Sequence, residues 1–246
     1  MRKLIIADRQ WCAYRDAFAA ALGASWQVVS APDSGALEAE LAGADALLAL
    51  EIPPGMLSRA AGLKVFLYPG AGVARTDPRD YPAGCAVVNV YEHGTPVAEY
   101  VMAAILLHAT GMAARAASFR HGSWEGSGRT GGETHTEVYG KTLGLIGYGI
   151  IGAAVAERAL AFGMRVLAIS AAPKGAPPGG GPHPHFLGGP AGLPLLLRES
   201  DYLTIACPLT PGTRGMLGAV ELARMKPSAY LINVARAEII DERALF

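Results

Sequence analysis

Residues 142–170, TLGLIGYGIIGAAVAERALAFGMRVLAIS, decide the fold. An apolar run over 142–146 leads into Gly147, Gly149 and Gly152. An alanine-rich helical pattern follows from about Ile150, and a second apolar run covers 166–169. A G-x-G-x-x-G triplet alone marks little more than a glycine-rich turn, but between a strand and a helix each glycine has its own task. Gly147 makes the tight turn, Gly149 lets backbone approach a pyrophosphate, and Gly152 lets helix pack on strand. The helix N-terminus then presents free N–H groups and a partial positive charge to an anion. The stretch predicts a dinucleotide-binding β–α–β unit.

The second strand ends at Ser170, where an NAD site calls for a carboxylate to accept hydrogen bonds from the ribose hydroxyls. A serine neither grips the ribose strongly nor repels a 2′-phosphate. Lys174 has two readings of equal weight, a partner for that phosphate or a solvated loop residue. The cofactor stays open between NAD and NADP, with a lean to NADP.

Outward from this unit the chain keeps an α/β rhythm. Apolar runs at 4–7, 28–29, 46–50, 65–68 and 86–90 read as strands, continuous as buried parallel strands are. Further strands are expected at 186–187, 202–206 and 229–233. The pattern over 12–23 is helical and stops at Gly23. Thr95 and Pro96 open a longer helix that runs to about Phe119 and is apolar almost all round, so burial on several sides is expected. His108 within it reads as a packed, hydrogen-bonded core histidine. The segments 121–140 and 173–194 are glycine- and proline-rich connectors. His121, His135, His183 and His185 in them lack the spacing of a metal site, and no metal is expected.

Composition narrows the function. Among 246 residues, 51% are hydrophobic, and Lys+Arg and Asp+Glu balance at 21 each. No global field favours nucleic acid or an anionic membrane. The longest uncharged apolar stretch, 100–114, is short of the ~20 residues of a membrane span. Cys12, Cys85 and Cys207 are too scattered for a disulfide framework, which points to a reducing cytoplasm.

The order of motifs resembles the D-isomer-specific 2-hydroxyacid dehydrogenases. The resemblance rests on LKVFLYPGAGV (63–73), VAEYV (97–101), GKTLGLIGYGIIG (140–152), AFGMRVLAI (161–169), SDYLTIACPLTPGTRGML (200–217) and MKPSAYLINVARAEIIDERAL (225–245). It implies a two-lobed α/β fold: a flavodoxin-like substrate lobe over 1–94, an interdomain helix over 95–120 and a Rossmann doubly wound parallel-sheet lobe over 121–246, with the active site in the cleft between. It implies NAD(P)-dependent hydride transfer between a 2-keto acid and a D-2-hydroxy acid, and a homodimer. Arg236 matches the arginine that binds the substrate carboxylate and polarises its carbonyl, a task suited to a planar, permanently charged guanidinium. Ala71, Gly72 and Val73 match the loop whose N–H groups hold that carboxylate. Ile150 and Ile151 match residues over the pyrophosphate, Cys207 and Pro208 a strand end beside the adenosine, and Thr213 a polar contact near it. Val234 and Ala235 match the backbone beside the nicotinamide.

Three departures accompany the match. Ala237 stands where the family has glycine, at a cost of about 1 kcal/mol if the position needs positive φ. Ala74 replaces a common aspartate. Family members also continue past residues 241–245 with an aspartate, a glutamate and a proton-donating histidine, whereas all six histidines here precede Arg236. The chain therefore reads as C-terminally truncated, with keto-acid reduction by residues 1–246 expected to be weak or undetectable. The alternative is a non-catalytic dinucleotide-binding or sensing protein, or a decayed copy.

Overall fold

Runs of apolar residues become strands because parallel pairing lets most of them bury both faces. In the computed structural model, which describes residues 1–70, 78–123, 135–173 and 183–245, they assemble two units, Met1–Glu92 and His93–Phe246. In the first, β1 (Arg2–Ile6), β2 (Trp26–Ser30), β3 (Ala46–Leu48), β4 (Val65–Tyr68) and β5 (Ala86–Asn89) form a parallel sheet in the order β2-β1-β3-β4-β5. Strand periodicity sends alternate residues to opposite faces. Leu4, Ile6, Ala46 and Leu48 join one core with Phe18 and Leu22, from the segment of α1 (Arg9–Cys12) and α2 (Arg15–Leu22). Ile5, Leu47 and Phe66 join the other with Leu37 of α3 (Ser34–Glu40). Gly23 ends α2 at φ 73°, a value that glycine adopts freely. The expected burial fails at β5. Val87 and Val88 are 43% and 46% exposed, because β5 is the edge of its sheet.

The second unit begins with α4 (Gly94–Thr110) and α5 (Met112–Arg120). Its sheet contains β6 (Thr142–Ile146), β7 (Arg165–Ile169), β8 (Phe186–Gly188), β9 (Tyr202–Ile205) and β10 (Tyr230–Asn233), with α6 (Ile150–Ala161), α7 (Leu193–Glu199) and α8 (Ala219–Leu222) between strands. All pairings are parallel and the order is β10-β9-β6-β7-β8. The chain thus builds outward from β6 through β7 to β8, then returns to the other side of β6 with β9. That reversal leaves a crevice at the carboxyl ends of β6 and β9, where open α/β sheets bind ligands.

The long helix expected from Thr95 to Phe119 is two helices. Gly111 takes φ 60° and its N–H reaches the His108 carbonyl, which ends α4, and α5 departs at 65°. Nor is α4 buried on several sides. Gly94, Ala98, Val101, Met102, Ile105 and Ala109 form one buried stripe against α6 and the sheet, while Tyr100 and Leu107 are 67% and 48% exposed. His108 is likewise an exposed residue, not a core one; its ring stacks on Tyr230 at 4.2 Å and meets Tyr202 edge-on at 5.8 Å. No single helix among the described residues is long and apolar enough to cross a membrane.

One electrostatic device recurs at the amino ends of both sheets. Asp201, just before β9, accepts the Thr142 N–H at 2.8 Å and the Lys226 ammonium at 2.9 Å. Asp45, just before β3, accepts the Lys3 N–H at 2.9 Å and the Lys64 ammonium at 2.9 Å. Each carboxylate joins its own strand to the start of the neighbouring one. Partial burial pushes the Asp201 pKa up, but the Lys226 hydrogen bond, the Thr142 N–H and the charges of Lys226 and Lys141 outweigh it and leave the group below its ordinary value. Asp45 is held low chiefly by the Lys64 hydrogen bond and the Lys3 N–H.

Asp201→Asn is therefore expected to cost about 1 kcal/mol, below the ~1.5–3 of a fully buried charged hydrogen bond because solvent screens the pair. For a chain of this size that is a Tm fall of about 2–4 °C per kcal/mol. A carboxylate with a depressed folded pKa stabilises fully above its unfolded value of about 3.9 and loses that contribution as pH falls through the folded value. The Tm gap between wild type and variant should hold from pH 7 to 5 and close below pH 4, as thermal denaturation across that range would show.

Candidate active site

Of the residues singled out in the sequence, Val234, Cys207, the glycine turn and Ser170 lie along one rim of the second sheet. A row of N–H groups, each one residue past its strand, crosses that rim from strand to strand. Val234 donates to the Ile205 carbonyl at 3.1 Å, Ala206 to Ile146 at 2.8 Å, Gly147 to Ile169 at 2.9 Å and Ser170 to Gly188 at 2.9 Å. Val234, Cys207, the glycine turn and Ser170 thus follow one another along the carboxyl ends of the strands.

The glycine turn explains its own composition. Gly147 has φ 105°, and a Cβ there would lie 2.6 Å from the Cys207 nitrogen. A Cβ at Gly152 would lie 2.2 Å from the Gly147 carbonyl oxygen, so the first turn of α6 seats directly on the strand-end turn. Gly149 differs: its φ is −94°, and a Cβ would meet nothing within 4 Å. Open space in front of Gly149, beside the N–H groups that begin α6 and have no carbonyl one turn back to reach, suits an anionic group.

Ile150 and Ile151 part company. Ile150 is 47% exposed and abuts the start of α4, where a Cβ on Gly94 would come within 2.7 Å of its Cγ2. Ile151 turns inward against the core shared by α4 and the sheet. Cys207 is half-buried, and burial pushes its thiol pKa up, which makes it a poor nucleophile. The Thr213 hydroxyl donates to the Pro208 carbonyl at 2.8 Å and accepts the Thr210 N–H at 2.8 Å, so it braces the loop after β9 from within.

Arg236 lies three residues beyond β10, exposed, with extended backbone at φ −142° and ψ 139°. Its Nη1 donates to the Ala235 carbonyl at 2.8 Å. The substitution at Ala237 carries no strain, because none of the described non-glycine residues has positive φ, and Ala237 opens the short 3₁₀ turn Ala237–Ile239. Ala71, Gly72, Val73, Ala74 and Lys174 lie outside the described residues. Two contributors escaped the sequence reading: Gly94, whose missing side chain lets α4 meet α6, and Asn233, whose carboxamide bridges the turn that carries Arg236.

The model of the D-isomer specific 2-hydroxyacid dehydrogenase NAD binding domain matches residues 102–246. The chain belongs to the D-isomer-specific 2-hydroxyacid dehydrogenase family. Among curated relatives, the hydroxypyruvate reductase of Thermotoga maritima is 34% identical over 200 residues, 80% of this chain and 61% of its own length. The chain thus spans about three fifths of that relative. Among solved structures, the Aquifex aeolicus D-lactate dehydrogenase complexed with NAD and lactic acid superposes with TM-score 0.77 at 26% identity, over 99% of this chain and 72% of that one. The Sinorhizobium meliloti NADPH-dependent glyoxylate/hydroxypyruvate reductase, in complex with NADP and sulfate, gives 0.78 at 25% identity, over 100% and 76%. The two five-stranded parallel sheets are those of the 2-hydroxyacid dehydrogenase fold.

In this family frame the glycines should separate by experiment. Gly152→Ala forces a methyl group onto backbone and is expected to cost about 1–3 kcal/mol, as overpacking does. Gly149→Val adds atoms only to open space, so Tm should stay within a degree or two while dinucleotide binding is lost. Thermal denaturation and calorimetric titration of both variants with NADH and NADPH check this; equal dinucleotide affinity in Gly149→Val and wild type would contradict it.

Proposed function

We propose that the protein is an NAD(P)-dependent oxidoreductase acting on the CH–OH group of D-2-hydroxy acids and, in reverse, reducing 2-keto acids. The observation that carries the reading is Arg236 three residues beyond β10, on the turn that follows the rim holding the glycine turn and Ser170. A permanently charged, bidentate donor is what a substrate carboxylate requires, and dinucleotide binding alone has no use for it. The hydroxypyruvate and glyoxylate named for the relatives are small keto acids of this class.

In this reading a bound nicotinamide supplies or accepts the hydride. The N–H groups of Ile150 and Ile151, behind Gly147, Gly149 and Gly152, hold the pyrophosphate. Ser170 faces the adenosine ribose, while Cys207, Pro208 and Thr213 wall the adenosine. Val234 and Ala235 offer backbone beside the nicotinamide. Arg236 pairs with the substrate carboxylate and draws electron density from the carbonyl oxygen, and the N–H groups of Ala71, Gly72 and Val73 complete the carboxylate's partners. In this reading 121–246 hold the dinucleotide and, through Arg236, the acid, while 1–94 contribute Ala71, Gly72 and Val73 to the acid. The exposed apolar residues Tyr100, Leu107, Met112 and Phe119 along α4 and α5 favour a homodimer, and the three unpaired cysteines a reducing cytoplasm.

The lean to NADP follows from Ser170. NADPH should bind at least as tightly as NADH, and Ser170→Asp should shift the ratio of the two dissociation constants towards NADH by about tenfold, ~1.4 kcal/mol of repulsion against the 2′-phosphate. Fluorescence titration with both cofactors reads the ratio without requiring turnover; a strong wild-type preference for NADH would overturn the lean. The reaction class is tested by following reduced-nicotinamide absorbance with glyoxylate or hydroxypyruvate, and by comparing D- with L-2-hydroxy acids in the oxidation direction.

A further inference from the structure

Beyond β10 the main chain leaves the sheet. The last ladder bond on this side is Val234 N–H to the Ile205 carbonyl, and β10 is the outer strand of its sheet among the described residues. Arg236 therefore sits on a turn between that last bond and 238–241, which backbone bonds tie to Gly215 and Leu217. Yet a residue that aligns a carboxylate needs its Cα fixed, since small misplacements of a positioning group cost rate steeply.

The fixing group is Asn233. Its Oδ1 accepts the Ala235 N–H at 2.9 Å and its Nδ2 donates to the Arg236 carbonyl at 2.9 Å. One carboxamide thus grips the chain on both sides of the Arg236 Cα. The partners dictate which end of the amide is which, because an N–H only donates and a carbonyl only accepts. The Arg236 carbonyl takes a second donor, the Ile239 N–H at 3.2 Å, so both of its lone pairs are used and the 236–237 peptide is held. Aspartate in this place keeps the acceptor and loses the donor; serine can donate or accept, but its single, shorter hydroxyl cannot span both partners as the two ends of the carboxamide do.

We infer that Asn233 is a positioning residue, which aims the Arg236 guanidinium at the substrate carboxylate by bracketing its backbone. The inference rests on the carboxylate-binding role proposed for Arg236. In the described state Nη1 is folded onto the Ala235 carbonyl, the acceptor next to the peptide that Asn233 holds. The bracket keeps the fork within reach of an incoming acid, so that only Nη1 has to exchange partners.

The test uses oxalate as a two-carbon carboxylate probe, titrated calorimetrically into the protein saturated with NADH or NADPH. Wild type should bind oxalate and Arg236→Lys, which loses the bidentate fork, should bind it far more weakly. Asn233→Ala should weaken oxalate by tenfold or more, with Asn233→Ser in between. Dinucleotide affinity and Tm should stay close to wild type in both Asn233 variants, a split that a merely structural asparagine would not produce. Unchanged oxalate affinity in Asn233→Ala overturns the inference and leaves the proposed function standing. Parallel loss of oxalate, dinucleotide and Tm overturns it as well, since Asn233 would then only hold the fold. Absence of oxalate binding by wild type overturns the carboxylate reading of Arg236 and this inference with it.

Discussion

A missing methyl group governs the second unit. Gly147 bends β6 into the α6 turn against the backbone of Cys207, and any side chain there would strike that backbone at 2.6 Å. The same economy repeats one turn later, where α6 rests Gly152 on the Gly147 carbonyl. Two strand ends and a helix start are thereby drawn together, and the helix N-terminus points across the rim at the place where strand order reverses. Close packing leaves such junctions nowhere to relax, which makes them rigid enough to hold an anion in register.

Around that junction the rim is completed by less rigid means. Ser170, Ala206 and Val234 stay in line because their N–H groups continue the sheet ladder for one residue beyond each strand. After Val234 this ladder stops: Asn233 holds the turn that carries Arg236, backbone bonds then tie Glu238, Ile239 and Asp241 to Gly215 and Leu217, and Thr213 braces the loop after β9. The means of support thus changes along the row, from packed glycine backbone to hydrogen-bonded turns. In the proposed reaction the cofactor's diphosphate falls to the glycine end and the small acid to the turn that Asn233 holds.

The sheets were legible because their strands are continuous apolar runs in an α/β rhythm; the order of the strands in each sheet came from the structure. The glycine turn was legible because its three glycines carry separate steric duties. What escaped has physical reasons. The period of α4 continues unbroken through Gly111, so only a backbone in the left-handed region reveals the bend. Strand β5 reads as buried from Val87 and Val88, but apolar composition does not say which strand lies at an edge. His108 looked like a core residue because its neighbours are apolar, and the exposed side of α4 also carries Tyr100, Ala103 and Leu107. Asn233 was visible in the sequence, but an asparagine at a strand end signals a turn generally; that its amide holds the Ala235 N–H and the Arg236 carbonyl together depends on the path of the chain beyond the sheet. Membership of the 2-hydroxyacid dehydrogenase family was carried by residues 102–246, where turn, rim and arginine occur in order.

The central claim is that the rim of the second sheet binds a dinucleotide through the glycine turn and presents Arg236 to an acid beside it. A crystal structure of the protein grown with NADPH and oxalate tests this most directly. The account predicts pyrophosphate oxygens on the N–H groups of Ile150 and Ile151, adenosine between Ser170 and Cys207, and oxalate paired with the Arg236 guanidinium. Pyrophosphate density away from the N-terminus of α6, or oxalate bound without Arg236, would contradict it.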